Sequence, residues 1–243
     1  MGYELTYKPF GEHSILIEWP SIIDKDILLD IISFKEIIKK NNIKVVIEVR
    51  ISYNSLLVIY ELNEFVLESS VQELKNIYAS FREQIKPIFR QWKIPVCYDD
   101  QFAIDLDEMS LEKNMSKSDI IKRHSSAIYT VYFIGFLPGF LYLGGLDKTL
   151  YTPRKATPRL KIEKGTVAIG GKQTGVYPSE SPGGWNIIGN SPIEFFNAQS
   201  EIPCFAKSGD RIKFNSVSLK EYQNIKSLVE AGVYQLESEM IYD

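Results

Sequence analysis

Between Pro153 and Lys164 the chain sets five cations, Arg154, Lys155, Arg159, Lys161 and Lys164, against one anion, Glu163. An arginine fork grips a carboxylate or phosphate through two parallel hydrogen bonds, so a small anionic ligand is one use for this cluster. Surface ion pairing is the other, and spacing alone does not separate them. Pro153 and Pro158 precede the two arginines and restrict the backbone, which favours a pre-organised site. His124, one of two histidines, can act as a general base or hydrogen-bond a carbonyl. A histidine near a helix end can equally cap carbonyls or pack. Gln173, Thr174 and Tyr177 lie on a glycine-lined stretch where side chains and amides can converge on a ligand. Phe136, Phe140, Tyr142 and Trp185 offer apolar walls, and Gly183 and Gly184 ahead of Trp185 allow close backbone approach.

Other chemistries find no support. Gly165 to Lys172 suggests a phosphate-binding loop, but its spacing is one residue too long and Gln173 replaces the serine or threonine that would follow. There is no GxSxG nucleophile elbow and no GxGxxG after a strand. Cys97 and Cys204 each follow a proline in apolar surroundings and read as small buried thiols of a reducing compartment. Two separated cysteines and two histidines make a zinc site an unfavoured reading, so no metal is expected.

These residues crowd into one stretch. Ile134–Pro192 holds 11 of the 15 glycines and 6 of the 11 prolines, a density incompatible with long helix. The whole chain has 243 residues, 44% hydrophobic and 24% charged, with a net charge of −3. That balance argues against a dedicated nucleic-acid binder. No apolar run reaches the roughly 18–20 residues of a membrane span, and the N-terminus lacks a signal-peptide pattern, so a cytoplasmic location is expected.

The first 93 residues read as an α+β unit of order ββαββα, a ferredoxin-like or split arrangement of one sheet covered by two helices. Its strands fall in ELTYKPF, SILIEW, KVVIEVRI and SLLVIYEL. Asp24 caps a helix over 25–40, with Ile27, Ile31, Phe34 and Ile38 on one face. Ser70 and Glu73 form a capping-box pattern before a second helix carrying Val71, Leu74, Tyr78, Phe81, Ile85, Ile88 and Trp92, which Pro87 kinks or ends. From Ile94 a strand, IPVCYD, leads to two short helices, the second capped by Ser116. Short β-type runs follow at IYTVYFI, TVAIG, GWNIIG, IEFF and RIKF, which favours an antiparallel barrel over 94–243. A helix with a tail begins near Leu219.

The blocks GFLPGFLYLGGL, TPRKATPRL, GTVAIGGKQTGVYP and SPGGWNIIGNSP resemble the signatures of one bacterial family. It includes the B subunit of 5-oxoprolinase, the sporulation-kinase inhibitor of bacilli and the first subunit of allophanate hydrolase. Two departures stand out: Ile162–Lys164 where a Val-Pro-Ala-type turn is common, and Asn190-Ser191 where Arg-Thr is common. The resemblance implies an α+β N-terminal domain, 1–93, joined to a mainly-β, cyclophilin-like barrel domain, 94–243. It implies one component of an ATP-dependent hydrolase that opens 5-oxo-L-proline to L-glutamate and is inactive alone. ATP is then cosubstrate of the complex, and the partners are the A and C subunits of the enzyme, the latter a second cyclophilin-like protein. A pocket shared with the partner would use His124 for catalysis and Arg154, Arg159, Gln173, Thr174, Tyr177, Gly184 and Trp185 for substrate. The same family also implies inhibition of a histidine kinase, or an accessory role in a urea or allophanate amidolyase.

Overall fold

In a computed structural model, residues 2–43, 45–80 and 87–242 are described. Contacts divide the chain into two units, Met1–Pro87 and Ile88–Asp243.

In the first unit, β1 (Thr6–Pro9), β2 (Ser14–Glu18), β3 (Val46–Ile51) and β4 (Ser55–Tyr60) form an antiparallel sheet of order β1-β2-β4-β3. Helix α1 (Lys25–Lys40) starts where Asp24 Oδ1 accepts from the amides of Asp26 and Ile27, at 2.8 and 3.3 Å. Its buried face carries Ile27, Ile31, Phe34 and Ile38 as the periodicity predicts, packed with Ile15 and Ile17 of β2 and Leu56 and Val58 of β4. Helix α2 spans Leu67–Ser80 and meets α1 through an edge-on Phe34–Tyr78 contact at 4.9 Å. Ser70 does not cap it: its amide already donates to Val66 O at 3.0 Å, so the helix is under way a turn earlier. Phe81 and Ile85 lie outside the described residues. Ile88 and Trp92 are not helical but belong to a strand of the second unit.

Asp30 is buried in this unit with no cationic partner among the described residues. Asp30 Oδ2 accepts from Trp19 Nε1 and from the Tyr78 hydroxyl, both at 2.7 Å, and that hydroxyl accepts from the Tyr3 amide. Asp30→Ala removes the acceptor of the buried Trp19 indole and of the half-buried Tyr78 hydroxyl and is expected to cost about 2–4 kcal/mol of unfolding free energy. Urea titration followed through Trp19 fluorescence measures it; a loss below about half a kcal/mol would mean the donors find other partners.

The second unit opens with β5 (Ile88–Val96), then α3 (Leu106–Lys113), α4 (Lys117–Ser126), β6 (Ile128–Ile134) and β7 (Leu141–Gly144). It continues through β8 (Arg159–Ile162), β9 (Thr166–Gly170), β10 (Gln173–Val176), β11 (Ser181–Gly183) and β12 (Asn186–Asn190). It closes with β13 (Arg211–Ser216), α5 (Leu219–Glu230) and β14 (Ser238–Tyr242). Ser116 caps α4 through the Asp119 amide at 3.1 Å, and Ser218 with Glu221 makes a full capping box on α5. Eight strands form one sheet in the order β12-β9-β10-β7-β6-β13-β5-β14, while β8 and β11 make a separate ribbon.

This is mixed α/β architecture, and the eight-stranded sheet is not a closed barrel. The C-terminal tail adds β14 beside β5 as the edge strand of this sheet. The other edge strand, β12, meets the residue after β5 through an isolated bridge, Asn190 to Cys97. IEFF is not a strand; Ile193 and Phe195 pack into the core from a loop.

Candidate functional site

The segment Thr152–Lys155, which carries Arg154, is pinned by its backbone. Thr152 bridges Gly171, Lys155 N donates to Gly184 O at 2.6 Å, and Asn186 Nδ2 donates to Pro153 O at 2.9 Å. These bonds hold the arginine loop beside the segment Gly183–Asn186. Arg154 itself is exposed, its guanidinium carbon 5.6 Å from the centroid of the Trp185 ring. That separation is within cation–π range.

Phe140, Tyr142, Tyr177 and Trp185 wall a cavity of about 110 Å3, with Gly183 and Gly184 as its backbone side. Phe140 meets both Tyr177 and Trp185 edge-on, at 5.8 Å and 83°. Glycine permits these contacts. A Cβ on Gly183 would lie 2.2 Å from the Tyr177 hydroxyl oxygen, and one on Gly170 would lie 2.5 Å from Trp185. Phe136 stands exposed at the cavity edge with φ 63°, a left-handed conformation that a bulky side chain adopts at a cost. Burial pushes the Tyr177 hydroxyl above its ordinary pKa, and the Arg154 charge partly offsets it. Tyr177 therefore stays protonated at neutral pH and can only donate or accept a hydrogen bond.

The other cations of the loop are already paired. Arg159 Nη2 donates to Asp105 Oδ1 at 2.6 Å, Lys155 Nζ lies 3.3 Å from the same oxygen, and Lys155 also bonds Glu108. Lys161 pairs with Glu180 at 2.8 Å and Lys164 with Glu194 at 3.2 Å. Among the described residues, Arg154 alone of the five has no acidic partner. Ion pairing, with the buried Asp105 in the case of Arg159, thus accounts for four of the charges, and among the described residues Arg154 stands over an aromatic cavity without an acid.

The structure does not bring every expected residue to this cavity. Arg159 pairs with Gly183 across the β8–β11 ribbon, but its charge is turned to Asp105. Gln173 shares a strand face with Gly175, whose added Cβ would approach Phe140 and Trp185, yet it does not line the cavity. Thr174 points to the opposite face and is fully buried. There it meets His124, which is also fully buried and stacked on Phe214 at 4.7 Å.

Every proton of that buried chain is accounted for. Thr174 Oγ1 donates to Ala168 O at 3.0 Å, so it accepts from His124 Nε2 at 2.8 Å. His124 Nδ1 then accepts from the Tyr98 hydroxyl at 2.7 Å. Burial lowers the His124 pKa to about 3, so the ring is neutral with both nitrogens engaged. It has no free nitrogen to offer a ligand.

Sequence reasoning missed Asp105. It is 3% exposed, and its Oδ2 accepts from the Ile187 amide at 2.7 Å. It occupies the N-cap position of α3 yet makes no side-chain cap bond. The only local signal, an acid before a helix, points to capping.

Residues 5–206 match the family described as carboxyltransferase domain, subdomain C and D. The chain belongs to that family. Within it, the chain is 37% identical over 185 residues to the 5-oxoprolinase B subunit of Bacillus subtilis (strain 168), covering 72% of this chain and 77% of that protein. Identity to the 5-oxoprolinase B subunit of Haemophilus influenzae is 40% over 170 residues, covering 70% and 78%. The crystal structure of the K. lactis urea amidolyase superposes with a TM-score of 0.85 at 18% identity, over all of this chain and 16% of that one. At that identity the likeness speaks to the fold alone. Among the described residues no cluster of metal-ligating side chains occurs, and no helix is long and apolar enough to cross a membrane.

Proposed function

We propose that the chain is the B subunit of a 5-oxoprolinase, a cytoplasmic multi-subunit enzyme that hydrolyses 5-oxo-L-proline to L-glutamate with ATP as cosubstrate. Its partners are the A and C subunits of that enzyme, the latter a second cyclophilin-like protein. The first unit, through Pro87, serves as the ferredoxin-like domain and the second, from Ile88, as the cyclophilin-like one, since the boundary expected at residue 93 would split β5, and the chain alone is inactive. Relatives of 37–40% identity are named as B subunits of 5-oxoprolinase, which supports the reading.

The observation that carries the site is the unpaired Arg154 over the aromatic cavity. 5-Oxoproline is a single ring bearing one carboxylate. Arg154 takes the carboxylate through its fork, and Trp185 and Tyr177 face the apolar ring atoms. Gly184 lets the backbone come close to the ring. Arg159 supports the site through Asp105, and Gln173 lies beside it on β10. His124 and Thr174 hold α4 to β10 from beneath rather than touching substrate, so acid–base chemistry falls to groups supplied by the assembly.

Glutamate release and ATP hydrolysis by the three proteins reconstituted together, with and without this chain, test the reading. Activity should require all three. Equal glutamate release in its absence would remove this chain from the enzyme.

A further inference from the structure

Asp105 is a buried acid whose carboxylate serves neither its own helix nor a capping bond. One oxygen faces Arg159 at 2.6 Å and Lys155 at 3.3 Å, and the other holds the Ile187 amide next to the Trp185–Asn186 segment. With Glu108 on Lys155, two cations and two anions make a neutral cluster beside the pocket. Without Asp105, three unpaired or half-paired cations would share the loop from Arg154 to Arg159.

We infer that Asp105 is a positioning residue that sets the charge of the ligand: by absorbing Lys155 and Arg159 it leaves a single free cation, Arg154, and so matches the pocket to one carboxylate. The inference rests on the proposed 5-oxoproline site and adds a basis for telling substrate from product. 5-Oxoproline presents one carboxylate. Ring opening to glutamate creates a second carboxylate and an ammonium, for which the neutral cluster offers no free partner. Product is therefore held less well than substrate, with no clash required. Discrimination of this kind depends on what is withheld as much as on what is offered.

The test uses the assembled enzyme with two competitive probes, cyclopentanecarboxylate as monoanion and glutarate as dianion. Asp105→Asn keeps the side-chain shape and an acceptor for the Ile187 amide but frees Arg159 and leaves Lys155 to Glu108 alone. Its inhibition constant for glutarate should fall about tenfold relative to that for cyclopentanecarboxylate, more at low salt, and Asp105→Glu should restore the wild-type ratio. Glu108→Gln, at an exposed position, leaves Lys155 sharing Asp105 with Arg159, makes the cluster net positive, and should shift the ratio the same way by a smaller factor. It serves if the Asn variant does not assemble. A purely structural role would weaken both probes alike and leave the ratio unchanged, which overturns the inference. Unchanged 5-oxoproline kinetics in Arg154→Ala would instead overturn the site itself.

Discussion

Arg154→Ala should raise the KM of the reconstituted enzyme for 5-oxoproline about 30- to 100-fold, with a smaller change in kcat. A charge-assisted hydrogen bond contributes roughly 1.5–3 kcal/mol, and each 1.4 kcal/mol is tenfold in binding. Arg154 is the one cation of its loop without an acidic partner among the described residues, so its removal creates no orphaned acid and leaves the ion pairs of Lys155 and Arg159 intact. The loss should appear in ligand affinity rather than in folding. The carboxylate that Arg154 is proposed to bind keeps its charge as the lactam opens, and an interaction present equally in ground and transition states changes KM first. Arg154→Lys keeps the charge but loses the fork, and should fall between wild type and alanine. A KM within twofold of wild type for the alanine variant would exclude Arg154 from substrate binding.

The second large effect is on stability and belongs to His124. His124→Ala would empty a core position and strip Tyr98 and Thr174 of a partner, a combined cost of about 3–5 kcal/mol. The group also confers a pH dependence. Its pKa is about 3 when folded, because burial disfavours the charged ring, against about 6.5 unfolded. Above pH 6.5 both states are neutral and the stabilisation is fully present. Below it the unfolded state takes up a proton that the folded state refuses, so stability falls as pH drops toward 3. The slope approaches about 1.4 kcal/mol per pH unit, or about 2–3 kcal/mol between pH 6.5 and 4.5. His124→Gln removes the titration while keeping an amide able to bridge Tyr98 and Thr174. Urea midpoints from pH 7.5 to 4.5 should fall steeply for wild type and more shallowly for the variant. Parallel curves would show that His124 is not the titrating group.

Both predictions turn on features that differ in how far local sequence reveals them. Helix α1 is legible because its apolar face repeats at helical spacing and Asp24 caps it from next door. The caps at Ser116 and Ser218 are equally local. Ile88 and Trp92 mislead because their spacing continues the pattern of α2. The same residues also fit a strand, and distant partners choose between the two: β5 pairs with β13 in parallel and with β14 in antiparallel fashion. Pro87 marks the break. The barrel expectation fails for a similar reason, since the C-terminal tail carries no strong strand signal yet occupies the edge of β5.

Within the site, residue types alone point to Arg154, Tyr177, Gly184 and Trp185, because arginine, aromatics and paired glycines suit few other arrangements so close together. They cannot show which arginine is free. Asp105 stands 54 positions before Arg159, and His124 lies 26 after Tyr98 and 50 before Thr174. Sequence by itself determined the starts of α1, α4 and α5 and the non-helical Ile134–Pro192 stretch, and it marked an arginine-bearing loop as a candidate anion site. Those follow from backbone preference and side-chain chemistry, which act over a few residues. Only the tertiary structure decided that His124 is sealed in the core and that Asp105 neutralises two cations to leave Arg154 unpaired. Burial and ion pairing depend on neighbours in space, and the fold alone supplies them.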